Sequence, residues 1–137
     1  MATTATIQLN SDITGDQLAL NSTATLTKSG SDRTDLDQYT GVNTIQYAAT
    51  QSETALIAAA DYADTTVAHK VYIRNASTST SCYVQVDIDS TANEPLGRLY
   101  AGDWTFFPWM GALDIDITTN EANQTVEFAV ISQSIAS

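Results

Sequence analysis

Tyr83-Val84-Gln85-Val86-Asp87-Ile88-Asp89 is the stretch on which the fold class turns. Val84, Val86 and Ile88 share one parity; Gln85, Asp87 and Asp89 share the other. That is the period-two signature of a strand with one buried face. The same pattern recurs on both sides of it. Downstream, Ile115 and Ile117 alternate with Asp114 and Asp116, and Val126, Phe128 and Val130 with Glu127 and Ala129. Upstream, Val71 and Ile73 oppose Tyr72 and Arg74. Ile7 and Leu9 alternate with Thr6, Gln8 and Asn10; Leu18, Leu20, Ala24 and Leu26 share a face with Ser22. Threonine and serine make up about a quarter of the 137 residues, and threonine's branched Cβ suits a pleated surface.

Turn chemistry divides these runs. Ser29-Gly30-Ser31-Asp32 and the stretch from Asn75 to Ser81 read as loops. Ala101-Gly102-Asp103, between Leu99-Tyr100 and Trp104-Thr105-Phe106, has the length and glycine placement of a tight hairpin, and Asn120 to Asn123 separates the last two strands. Pro95 and Pro108 fall at strand ends, where a missing N–H does least harm. Ser52 to Ala63 is ambiguous: Ser52 is a good helix cap and alanine abounds, yet Thr54, Leu56 and Ala58 alternate. Seven to nine short strands without helical crossovers predict an all-β chain, an antiparallel sandwich or jelly roll. Residues 1–35 are the most polar part and are expected as strands or an extended arm; residues 36–137 are expected to form the sandwich, in a single domain overall.

Five Lys and Arg against sixteen Asp and Glu give a net charge of −11. Such a surface repels phosphate backbones and anionic lipid heads, so neither nucleic acid nor membrane is an expected partner. No apolar run reaches the length of a membrane helix, and Met1 to Thr6 lacks the basic and apolar regions of a signal peptide. Synthesis in a cytosol is therefore expected. One cysteine, Cys82, excludes an internal disulfide, and one histidine, His69, excludes a two-histidine zinc site.

Little in the sequence points to chemistry. Asp87/Asp89 and Asp114/Asp116 each place two carboxylates on one side of a strand, as calcium ligands or, more simply, as a wet face. No Gly-x-Ser-x-Gly elbow surrounds a serine, and Cys82 lies in no motif, so no catalytic residue, metal or cofactor is assigned. The most unusual feature is aromatic: Tyr100, Trp104, Phe106, Phe107 and Trp109 crowd one segment, with Trp104 and Phe106 on one parity and Phe107 and Trp109 on the other. Large rings on both faces call for a second cover, which is core packing, a neighbouring subunit or a stacked sugar.

The order from His69-Lys70-Val71-Tyr72-Ile73-Arg74 through a Ser/Thr loop to Tyr83-Val84-Gln85-Val86, then Leu96 to Trp109 ending in Pro-Trp, then Thr125 to Ile131, resembles small virion structural proteins of tailed phages, particularly those of cyanobacteria. The resemblance spans about Ala68 to Ser132. It implies a β-sandwich on the capsid surface, assembled in the host cytoplasm: a non-enzymatic decoration (cement) protein, a homo-oligomer, expected as a trimer, that binds the major capsid protein. The expected subunit contacts are Tyr100, Trp104, Phe106, Phe107 and Trp109, joined by Ile7 and Leu9 of the arm. The alternatives are a tail, baseplate or fibre subunit, or a carbohydrate-binding module using Trp104, Trp109 and the aspartate pairs.

Overall fold

The computed structural model describes residues 4–13, 16–25, 38–62, 67–88 and 95–134. They form eleven strands: β1 Thr4–Ile13, β2 Asp16–Thr25, β3 Gln38–Tyr39, β4 Asn43–Tyr47, β5 Thr54–Ile57, β6 Val67–Asn75, β7 Tyr83–Ile88, β8 Pro95–Tyr100, β9 Trp104–Trp109, β10 Ile115–Thr119 and β11 Gln124–Ser134. Every pairing is antiparallel. One sheet has the order β5-β10-β7-β8. The other runs β3-β11-β6-β9, with β4 also on β11.

That order defines the architecture. β4 pairs with β11, β5 with β10, β6 with β9 and β7 with β8, so the second half of the chain runs back along the first. The four-strand orders 4-11-6-9 and 5-10-7-8 that result are those of a jelly roll, two interlocked sheets packed face to face. The expected all-β sandwich is what forms. β1 and β2 stand outside it as a separate two-stranded sheet, in unbroken register from Thr4 opposite Thr25 to Ile13 opposite Asp16.

The core follows from the alternation. The four central strands contribute Val71 and Ile73, Val84 and Val86, Ile115 and Ile117, Val126 and Val130, all buried. Each such side chain contributes roughly 1.5–3 kcal/mol by leaving water. Their β-branching restricts χ1, so little rotamer freedom is lost when they pack. The larger side chains Leu56, Phe107, Phe128 and Trp109 fill the periphery.

One local ambiguity is resolved and one local expectation is corrected. Ser52 does not cap a helix: Thr54–Ile57 is a strand on the outer edge of β10, followed by a single 3-10 turn at Ala59–Asp61. The backbone N–H of Ala59 donates to Asp114 Oδ1 at 2.7 Å, which ties that turn to the start of β10. Ala101-Gly102-Asp103 does not close a hairpin, because β8 and β9 belong to different sheets. It is a tight turn, with Asp103 N–H on the Tyr100 carbonyl at 2.8 Å and Gly102 at φ 88°, that carries the chain across the sandwich. Asn120 to Asn123 likewise crosses from β10 in one sheet to β11 in the other.

The 101–103 crossover is locked by Asn75, the fully buried last residue of β6. Its backbone N–H donates to the Asp103 carbonyl at 3.0 Å, and its carbonyl accepts from Gly102 N–H at 2.8 Å. Its side-chain Nδ2 donates to the Leu99 carbonyl at 2.9 Å, and Oδ1 accepts from Ser77 N–H at 3.0 Å. One residue thus joins the ends of β6 and β8, which lie in opposite sheets. Asn75 opens an Asn-x-Ser triplet, but burial leaves its amide unavailable for glycosylation.

Asn75→Ala strands the Leu99 carbonyl and the Ser77 N–H, and should cost about 2–3 kcal/mol in urea denaturation; an unchanged midpoint would refute the locking role. At the other end, Gly111 has φ 76°, and a Cβ there would lie 2.7 Å from the Tyr62 carbonyl oxygen. Gly111→Ala should therefore lower the thermal midpoint, by about 1–3 kcal/mol of strain, whereas Gly102→Ala meets no steric obstacle and should lose less.

Candidate functional site

The aromatic segment lies on two edge strands. β8 ends one sheet and β9 ends the other, and the 101–103 turn joins them, so among the described residues the open side of the sandwich is flanked by two unpaired strand edges. Between them lies an apolar crevice of about 120 Å³, lined by Val86, Leu96, Leu99, Thr105 and Phe107 among others.

Register decides which rings point in. Val71 and Ile73 are core residues on β6, and their partners on β9 are Phe107 and Thr105. Phe107 therefore packs against the core. Trp109 does so more completely: it is 6% exposed, its indole Nε1–H donates to the Leu113 carbonyl at 3.0 Å, and its ring meets Tyr62 at 5.3 Å and His69 at 5.6 Å between centroids. This burial excludes the Trp109 ring from any surface contact.

Trp104, Phe106 and Pro108 have the opposite parity. They stand beside Arg74, Tyr72 and Lys70 on the outer face of the sheet. Trp104 is 51% exposed, 6.5 Å from the Tyr72 ring; Phe106 is half-buried and Pro108 exposed. The same face continues onto β11 as Ala129 and Ile131, with Glu127 paired to Arg74 at 3.5 Å. A sheet surface carrying Trp, Phe, Tyr, Pro and Ile where water is expected has the composition of an interface core. Tyr72 and Ile131 escape a reading of single segments, because the cross-strand register that aligns them with Trp104 is not local.

Tyr100, 47% exposed, falls on the outer parity of the other sheet. There it meets Tyr83 at 6.0 Å, and Arg98 lies 4.3 Å over the Tyr83 ring. From Arg98 a polar chain crosses that sheet: Arg98 Nε to Gln85 Oε1 at 3.3 Å, then Gln85 Nε2 to Asp87 Oδ1 at 3.3 Å. Asp87 stands directly opposite Asp116. Both are 1% exposed, so these two aspartates are not the wet face that alternation suggests. Asp114 caps Ala59, and Asp89 lies outside the described residues. Among the described residues no three His, Cys, Asp or Glu side chains cluster as a metal site. Among the described residues, Trp104 lies in one sheet and Asp87 and Asp116 in the other, so these aspartates do not join Trp104 in a calcium-and-sugar site.

His69 Nδ1 lies 2.8 Å from Ser132 Oγ, a serine–histidine pair, but both side chains are buried. His69 Nε2 is 3.2 Å from the Tyr62 carbonyl, which can only accept, so Nε2 carries a proton. The pair ties β6 to β11 beneath Trp109 and Tyr62. Burial and the neighbouring Asp61 charge raise the Tyr62 phenol above its ordinary value, and burial alone raises that of Tyr47. Cys82 is buried, with its thiol on Glu121 Oε2 at 3.4 Å. Of the arm residues, Ile7 is 42% exposed; Leu9 lies in β1, and its side chain is outside the described set.

Comparison with known proteins returns no matching family model, no matching curated protein and no matching solved structure. Among the described residues no helix is long and apolar enough to cross a membrane.

The two tryptophans should separate cleanly on mutation. Trp109→Ala should cost about 3–5 kcal/mol of stability, as a buried ring does, and Trp104→Ala less than about 1 kcal/mol. Equal losses in chemical denaturation would contradict the assigned parity.

Proposed function

We propose that this chain is a non-enzymatic structural subunit of a tailed-phage virion, a capsid decoration protein that assembles as a homotrimer and binds across neighbouring major capsid subunits. The observation that carries the reading is the outer face of β9, β6 and β11. Trp104, Phe106, Tyr72 and Ile131 form an apolar surface on the side of a sheet that faces away from the sandwich core. Half-exposed aromatic anchors of this kind dominate binding energy when a partner covers them. The likeness of residues 68–132 to small phage virion proteins supplies the setting. Jelly rolls serve viral capsids as well as lectins, which is analogy at the level of fold. The acidic charge keeps arrayed copies soluble and away from the packaged genome, and the proposal includes neither nucleic acid nor membrane. Stabilisation accumulates because each copy bound to the assembled shell, and not to free subunits, adds its own binding free energy.

A second reading has one observation in its favour: a half-exposed Trp104 beside Tyr72 is also a platform on which a sugar ring stacks. It suits a fibre or adhesin module.

Particles purified from a culture producing this protein should carry it on the head, as seen by antibody labelling in electron micrographs. Added to heads lacking it, the wild type should raise their resistance to heat, and Trp104→Ala should bind at least about ten-fold more weakly. Label confined to tails, or glycan-array hits abolished by Trp104→Ala, would overturn the decoration role in favour of the fibre reading.

A further inference from the structure

At Asp87 and Asp116 parity and burial disagree. Both follow the outward alternation of their strands, yet each is 1% exposed, and they stand directly opposite each other where β7 pairs with β10. Cross-strand partners share a face with their Cβ atoms about 5 Å apart, and like charges so placed weaken a strand pair. Asp87 is the sharper anomaly. Its Oδ1 accepts from Gln85 Nε2 at 3.3 Å, but its Oδ2, buried as well, accepts no hydrogen bond. A buried carboxylate oxygen without a donor is costly. The basic side chains among the described residues do not supply one. Lys70 and Arg74 lie on β6, in the other sheet; Arg98 sits over the Tyr83 ring and connects to Asp87 only through Gln85. The ladders also break here. On β8 the register shifts between Val86 and Asp87, whose partners are Gly97 and Pro95, so Leu96 is passed over. On β5 it shifts between Ile115 and Asp116, whose partners are Ile57 and Ala55, so Leu56 is passed over. Such bulges take main-chain groups out of the ladder and recur beside functional sites.

We infer that Asp87 and Asp116 together hold a hard divalent cation, of the magnesium, calcium and manganese class, between the two central strands of this sheet. The cation gives Asp87 Oδ2 the positive partner that it otherwise lacks, and it turns the repulsion of two opposed carboxylates into a cross-link of β7 to β10. The donor set fixes the class. Both side chains offer oxygen alone; His69 lies in the other sheet, bonded to Ser132, and the Cys82 thiol is turned to Glu121, so nothing here favours a soft metal. Two carboxylates are fewer oxygens than such ions take. Main-chain carbonyls and retained water are the usual remaining ligands, and both bulges put main-chain groups outside the ladder at this spot. A cation held only by the folded chain stabilises it by mass action. The inference does not depend on what Trp104 binds.

The test uses the full-length chain, stripped with a chelator and then titrated separately with magnesium, calcium and manganese chloride. At least one of the three should raise the thermal midpoint by several degrees, in a saturable way that sodium chloride of equal ionic strength does not reproduce. Calorimetry, or the paramagnetic signal of manganese, should count a single ion per chain. Asp87→Asn combined with Asp116→Asn keeps both shapes and removes the charge. It should abolish the saturable response, and its midpoint in chelator should equal or exceed that of the stripped wild type. Asp87→Asn alone should also abolish the response, which keeps the test sound if the double variant does not fold. Glu53→Gln removes an exposed carboxylate elsewhere and should leave the response unchanged. A wild type whose midpoint follows ionic strength alone, or a response that survives Asp87→Asn, would overturn the inference.

Discussion

Asn75 is the constraint on which the arrangement of the surface rests. A jelly roll must pass its chain repeatedly from one sheet to the other, and each passage takes backbone groups out of both ladders at the rim of a dry core. At the end of β6 that cost is met by one buried amide, which bonds to Leu99 and Ser77 while its own backbone pairs with the Gly102–Asp103 turn. The β8–β9 connection is thereby held against β6. Because the two strands it links are edges of different sheets, fixing the turn also fixes which rings of the aromatic segment point inward. Trp109 joins the core and Trp104 the outside.

The alternation legible in the sequence carried the fold class, and for a physical reason. Val71, Val84, Ile115 and Val126 sit on central strands with one dry side, where period two and burial are the same fact. Pairing was not legible. Ala101-Gly102-Asp103 has hairpin chemistry, and the local backbone does form a tight turn; that the flanking strands then diverge into separate sheets depends on β6 and β7, distant in sequence. The same limit applies to the aspartates. Asp87 and Asp116 obey the outward parity, yet both are buried and face each other, a neighbourhood set by β7–β10 register.

The aromatic segment shows how far parity goes. It separates Trp104 and Phe106 from Phe107 and Trp109 correctly, but both sets are apolar, so hydropathy gives no direction. The deciding information is on β6, where His69, Val71 and Ile73 are buried and Lys70, Tyr72 and Arg74 are not. Once β9 pairs with β6, Trp109 must follow His69 inward and Trp104 must follow Arg74 outward. The ambiguity of Ser52 to Ala63 is resolved by a similar tertiary effect: the open edge of β10 offers a ladder to Thr54–Ile57, and the Asp114 carboxylate takes the Ala59 N–H that a longer helix would have used.

The two outer faces of the sandwich are chemically unlike, and that difference gives the molecule a direction. One bears Arg98, Gln85 and Asp87 in a hydrogen-bonded row that ends where Asp87 stands opposite Asp116; the other bears Trp104, Tyr72, Phe106 and Ile131 beside Lys70 and the Arg74–Glu127 pair. A partner that excludes water gains most from the exposed ring of Trp104 on the second face, and covering that face also desolvates the Arg74–Glu127 pair beside it.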